Sequence, residues 1–157
     1  MTTPRDELEQ NEPLDSDGGV GAALFGLPVL LVVAGGVVGT TLRVLVTAAV
    51  PDAGGLPIDI LVVNLVGAFA LGLLLEVLAL RGPDTGTRRR VRLLVGTGVI
   101  GGFTTYSALA TDTSLLVDSD RLLAAAAYAL GTVVLGAVAS IAGILVGRLT
   151  RRESSGT

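Results

Sequence analysis

Apolar residues gather in four long blocks, at about residues 24–50, 58–80, 93–117 and 122–147, and the stretches between them are short and polar. A hydrocarbon core about 30 Å thick is crossed by roughly 20 helical residues, and each block reaches that length. None of them alternates apolar and polar positions as a barrel strand does. The pattern predicts an all-α membrane protein with four transmembrane helices. Residues 1–21, "MTTPRDELEQNEPLDSDGGVG", are acidic, contain Pro and Gly, and have no apolar period, so a disordered, solvated tail is expected there. Arg5 is its only base and no apolar stretch follows directly, which argues against a signal peptide. The expected organisation is a tail over 1–21, a four-helix membrane domain over 22–149 and a short C-terminal tail over 150–157.

The connections set an orientation. With four spans, the N-terminal tail, the "RGPDTGTRRRVR" loop and the C-terminal tail share one face. That face holds Arg5, Arg81, Arg88, Arg89, Arg90, Arg92, Arg148, Arg151 and Arg152. The other face holds Arg121 with Asp52, Asp118 and Asp120. The positive-inside rule places the arginine-rich face, and both termini, in the cytoplasm of a cell membrane.

Composition narrows the chemistry. The 157 residues include 22 glycines, which fit helices that pack backbone to backbone in lipid. Cysteine and histidine are both absent, which excludes disulfides, thiolate metal sites, Cys nucleophiles and His general bases. No base–nucleophile set is visible, so an enzyme is not expected.

The polar groups inside the spans are the functional candidates, because each is costly to place there. Asn64 fits either an interhelical hydrogen bond or an amide donor to a permeating anion. Arg43 fits either a side chain snorkelling to the interface or a vestibule cation that attracts anions. Glu76 lies near a span end, where an interfacial carboxylate and a proton-coupling carboxylate are both open. The run "GTGVIGGFTTYS" carries Gly96, Gly98, Gly101 and Gly102, then Thr104 and Thr105. Each glycine weakens a helix by about 1 kcal/mol relative to Ala, which predicts a break near Gly101–Thr105. Broken backbone at membrane depth is tolerated where it is buried in protein or lines a cavity, and its freed groups can face an ion. The other reading of the run is a GxxxG-like packing face with hydroxyls bonded to the preceding turn.

Three patches together resemble the Fluc (CrcB) fluoride channels. "GGVVGTTLR" (35–43) is similar to that family's first-helix Gly-Gly-x-x-Gly…Arg motif, "VNLVGAFALG" (63–72) to its Val-Asn-x-x-Gly-x-Phe-x-x-Gly, and "GTGVIGGFTTYSAL" (96–109) to its Gly-x-x-Gly-Gly-x-Thr-Thr-Phe-Ser. Their order and spacing agree over roughly residues 24–149. The resemblance implies an antiparallel dimer with two fluoride pores that lets F⁻ leave the cell passively. It also implies a structural Na⁺ at the dimer centre, held by the backbone carbonyls of Gly101 and Thr104. By motif position Asn64 is the pore-lining amide, Arg43 the vestibule cation, Ser107 a hydroxyl beside the aromatic box, Thr132 a pore hydroxyl on the fourth helix, and Asp112 an acid near the pore mouth.

The departures from the family pattern fall at pore positions. Two phenylalanines are usual where this chain has Tyr106 and Leu109, and leucine has no ring edge to offer. Ala108 and Ile60 stand where hydroxyls are usual. The one-sided arginine distribution and the incomplete aromatic box both favour a heterodimer with a second Fluc-type subunit over a homodimer. Two rival classes stay open at this stage. One is a four-helix proton-coupled exporter using Glu76 or Asp112, and the other a non-conducting membrane subunit.

Overall fold

The computed structural model describes residues 26–50 and 55–153, with side chains described as far as Thr150. The expected tail over 1–21, Asp52, the side chains of Arg151 and Arg152, and residues 154–157 lie outside the described residues. Among the described residues, four helical passages are each long and apolar enough to cross a membrane: Leu27–Ala49, Ile58–Leu80, Gly86–Asp118 and Leu122–Thr150.

The first passage is helix α1, Leu27–Ala49, opened by a proline in its first turn, where a missing N–H costs nothing. The second is α2, Ile58–Leu80, also of 23 residues. At 1.5 Å per residue each spans about 35 Å, a full bilayer core. The third passage is segmented, and it begins earlier than the apolar block alone predicts. Helix α3, Gly86–Val91, carries the arginine run; a π-helical stretch follows over Arg92–Ile100; one turn, α4, covers Gly101–Phe103; and α5 runs Tyr106–Asp118. The fourth passage is a single helix, α6, Leu122–Glu153, of 32 residues.

Glycine decides which helices meet. A Cβ on Gly72 of α2 would strike the Ser140 carbonyl of α6, and a Cβ on Gly143 of α6 would strike the Phe69 carbonyl of α2. The α2–α6 pair is the most extensive in the fold. On the other side, α1 lies along the π stretch and α4. There Gly35 and Gly98 face each other, Gly39 abuts the Val99 carbonyl, and a Cβ on Gly102 would sit 2.6 Å from the Gly36 carbonyl. In lipid such close approach is itself the driving force, through dispersion between backbones.

Much of the large apolar surface points outward, for example Leu30, Val37, Leu45, Leu130 and Val133. Toward the face of the α1–α2 and α5–α6 connections, a small buried cluster of Ile60, Leu109, Leu116, Ala125 and Tyr128 ties α2, α5 and α6 together. At the arginine-rich end the α2–α3 loop is pinned. Arg88 donates to the carbonyls of Pro83 and Arg81, and Arg92 pairs with Asp84 at 2.7 Å. The turn needs φ of 116° at Gly82 and 54° at Gly86, which glycine adopts without strain. The hydrogen bond from Arg92 holds the Asp84 carboxyl below its ordinary pKa.

Candidate functional site

The break predicted in the third passage falls at Thr104 and Thr105. Both residues are extended, with φ/ψ of −77°/156° and −148°/125°. In a continuous helix the Thr105 N–H would reach the Gly101 carbonyl and the Ala108 N–H the Thr104 carbonyl. Here the Thr105 N–H donates to Asn64 Oδ1 at 2.9 Å, and the Ala108 N–H donates to Thr105 Oγ1 at 3.2 Å, an N-cap for α5. The hydroxyl of Thr104 bonds back to the Ile100 carbonyl at 3.0 Å, so the packing-face reading of the motif holds alongside the break.

Side chains from α1 and α2 take up the groups the break releases. Asn64 Nδ2 donates to the Thr105 carbonyl at 3.0 Å, so the amide grips both backbone groups of one buried residue. Arg43 Nη1 donates to the Thr104 carbonyl at 3.3 Å, and Thr40 Oγ1 reaches the Gly102 carbonyl at 3.4 Å. A Cβ on Gly67 would collide with the Thr104 methyl, so α2 also supplies the slot in which the break sits. Asn64 is thus an interhelical hydrogen-bonding residue, with one amide hydrogen left over. Arg43 turns into the molecule rather than snorkelling away from it.

A polar cavity of about 560 Å³ opens beside the break. Arg43, Ser107 and Asp112 line it, with Thr105, Asp59 and Thr111. Three of the predicted site residues therefore share one space. Ser107 shares a hydrogen bond with Thr105 at 3.1 Å, and Asp112 accepts from the Tyr128 hydroxyl at 3.3 Å.

The other predicted residues lie elsewhere. Tyr106 is 82% exposed on the outer surface of α5, whereas Leu109 is 8% exposed inside the α2–α5–α6 cluster. Thr132 is buried, its hydroxyl bonded back to the Tyr128 carbonyl at 2.7 Å, and it lines a separate, mainly apolar cavity of about 230 Å³. Gly101 is exposed, with nothing but the Gly96 carbonyl, at 4.0 Å, near the place its Cβ would take. Glu76 is held by Arg148 of α6 at 3.0 Å.

A family model described as "CrcB-like protein, Camphor Resistance (CrcB)" matches residues 30–144, nearly all of the four-passage fold. The chain belongs to the CrcB/FluC family of fluoride-specific ion channels. It is 51% identical over 124 residues to the fluoride-specific ion channel FluC 2 of Leifsonia xyli, an overlap of 79% of this chain and 86% of the relative. It is 50% identical over 114 residues to FluC 1 of Cutibacterium acnes, covering 71% and 80%. To FluC 1 of Halobacterium salinarum it is 44% identical over 115 residues, covering 73% and 88%. A CrcB/FluC chain is a multi-pass channel protein, not an enzyme.

Within this CrcB-type fold, sequence reasoning passed over Asp59, Thr40 and Tyr128. Asp59 opens α2, where an acid is ordinarily read as a partner for the helix dipole. Thr40 and Tyr128 were hidden in otherwise apolar helices. Their polar partners are 62 and 16 residues away in sequence, beyond the reach of any local pattern.

Proposed function

We propose that this chain forms a fluoride-selective channel in the cell membrane, as one half of an antiparallel dimer, and lets F⁻ leave the cytoplasm passively. The observation that carries the reading is the polar cavity at a broken membrane helix in a CrcB/FluC fold. It joins Arg43 to neutral donors, the Ser107 and Thr105 hydroxyls, beside the remaining amide hydrogen of Asn64. Fluoride is small and strongly hydrated, so a pore must replace water with donors of moderate strength that still release the ion. Amide, hydroxyl and aromatic-edge donors meet that need.

The carbonyls of Gly101 and Thr104 are the residues that would hold a structural Na⁺. Hard carbonyl oxygens at a helix break suit that cation. Gly101 lies on an exposed surface, where a second subunit could add its own oxygens, and the Thr104 oxygen keeps one lone pair beyond its bond from Arg43. Bound there, Na⁺ would supply positive charge that fastens two subunits together.

Tyr106 supports the dimer. At 82% exposure, its ring and hydroxyl have their natural place against a partner, offering a ring edge to the pore. Leu109 faces its own core and offers none, and Thr132 contributes a hydroxyl whose hydrogen is already committed. A partner subunit with a complete aromatic box makes up the difference. The arginine-rich face, placed in the cytoplasm with both termini, favours one orientation for this chain and the opposite one for its partner. The numbered names of the relatives, FluC 2 and FluC 1, fit a pair of subunits.

Single cysteines placed in the 51–57 and 81–92 loops test this arrangement. With the chain expressed alone, labelling from outside is expected in the first loop only, and fluoride flux is expected only when a second family member is co-expressed. Equal labelling of both loops, with full flux from the lone chain, would replace the heterodimer by a homodimer.

A further inference from the structure

A groove of about 710 Å³ runs between α1, α2 and the π stretch, apart from the polar cavity. It starts beside the break, at Phe103 and Val66, and its lining stays apolar as far as Val77. Arg81 and Thr150 close it at the arginine-rich end, and among the described residues Arg81 is its one charged group. From Val66 to Val77 the α2 helix rises about 16 Å. That is the depth of one leaflet of a core about 30 Å thick.

The cation at the mouth of this groove is unspent. Arg88 and Arg92 give their donors to the α2–α3 loop, and Arg148 is held by Glu76. The Arg81 carbonyl is fixed by Arg88 at 2.9 Å, but its guanidinium has no hydrogen-bond or ion-pair partner among the described residues. Thr150 turns its hydroxyl hydrogen to the Gly147 carbonyl, so the charge at this end is that of Arg81. Gly101 and Tyr106, the exposed residues assigned above to the second subunit, are absent from the lining.

We infer that this groove binds an acyl chain of an anionic phospholipid from the cytoplasmic leaflet, with the lipid phosphate on Arg81. An apolar slot one leaflet deep suits a hydrocarbon chain, and a guanidinium at its headgroup end suits a phosphate, which it can grip with two parallel N–H bonds. Arg89 and Arg90, exposed on α3, add to the field that draws anionic lipid to this face. A chain in the groove lies against Gly67 and Phe103 and so braces the broken passage from its lipid side. Such a site is separate from the ion path and stands whichever ion passes.

The test is native mass spectrometry of the full-length chain in its purified complex, in detergent, titrated with phosphatidylglycerol, phosphatidylcholine or glycerol 3-phosphate. Phosphatidylglycerol should bind about fivefold tighter than phosphatidylcholine, the worth of one arginine at a headgroup. Arg81→Gln should remove that preference and Arg81→Lys should keep most of it, while Arg90→Gln, outside the groove, should leave it unchanged. Ala70→Trp, which fills the slot, should weaken both lipids; if it assembles poorly, Val77→Phe fills the same slot nearer its mouth. Equal binding of the two lipids, or equal losses in Arg81→Gln and Arg90→Gln, would overturn the site. So would displacement of the lipid by an equal concentration of glycerol 3-phosphate, which has the phosphate and no chain. A complex whose lipid binding none of the groove variants alters would overturn it too, since the second subunit would then cover the groove.

Discussion

The grip of Asn64 on Thr105 is the contact on which the broken helix most depends. Replacing Asn64 by Ala removes two hydrogen bonds, at 2.9 and 3.0 Å, and leaves the N–H and C=O of a residue only 9% exposed without partners. A buried backbone group stripped of its partner costs about 1–3 kcal/mol. Interhelical hydrogen bonds in membranes measure lower, at about 0.6–2 kcal/mol, because the separated helices also find partners. Two such bonds give a loss of about 2 kcal/mol, and for a protein of this size that lowers the melting temperature by about 4–8 °C. Asn64→Asp is the sharper variant. It keeps an acceptor for the Thr105 N–H but sets a carboxylate oxygen against the Thr105 carbonyl, so it should stop fluoride flux and destabilise at least as much as Ala. The assay is thermal unfolding of the purified complex in detergent, paired with fluoride efflux from liposomes. Ser107→Ala serves as the control, since it removes one shared hydroxyl contact from an exposed position and should shift melting by no more than about 2 °C. If Asn64→Ala melts with the wild type and conducts normally, the amide does not hold the break.

Other outcomes follow from the packing and the ion pairs. Gly143→Val should prevent α2 and α6 from meeting and abolish a monodisperse protein on size exclusion, while Gly136→Ala, whose Cβ meets nothing within 4 Å, should leave folding intact. Glu76→Gln removes the pair with Arg148, whose side chain is 63% exposed, so a stability loss of under about 1 kcal/mol is expected, with fluoride efflux still independent of a proton gradient. A flux that collapses in Glu76→Gln would instead revive a proton-coupled carrier. Asp84, whose carboxyl the bond from Arg92 holds below its ordinary pKa, supports the α2–α3 loop above the carboxylate range and stops doing so as pH falls through its lowered value; proteolysis of that loop should rise only in that acid window and be acid-insensitive in Asp84→Asn.

The number of spans and the position of the break were legible in the sequence because the bilayer leaves so few choices. Backbone in lipid must satisfy itself, so four apolar blocks become four helical passages, and a run of glycines followed by two threonines marks where one is interrupted. The family resemblance named Arg43, Ser107 and Asp112 one by one as candidates, and that they line one cavity is a tertiary fact no local pattern carries. The π-helical register of Arg92–Ile100 was not legible, since glycine spacing reports how closely helices approach and not which carbonyl each N–H selects. Nor was the divergence of Tyr106 and Leu109. Tyr106 is the first residue of α5, at the break, and stands exposed there, whereas Leu109, nearly a turn further on, is covered by the cluster of Ile60, Leu116, Ala125 and Tyr128. The partnership of Glu76 with Arg148 spans 72 residues of sequence, which local pattern does not encode.

The central claim is that the CrcB/FluC fold of this chain, with its partner, conducts fluoride and rejects other halides. Its most direct test is passive efflux from liposomes loaded with equal fluoride and chloride, followed by ion-selective electrodes after a potassium ionophore clamps the voltage. Rapid fluoride release with chloride retained is the predicted result; chloride leaving alongside fluoride at a comparable rate would contradict it.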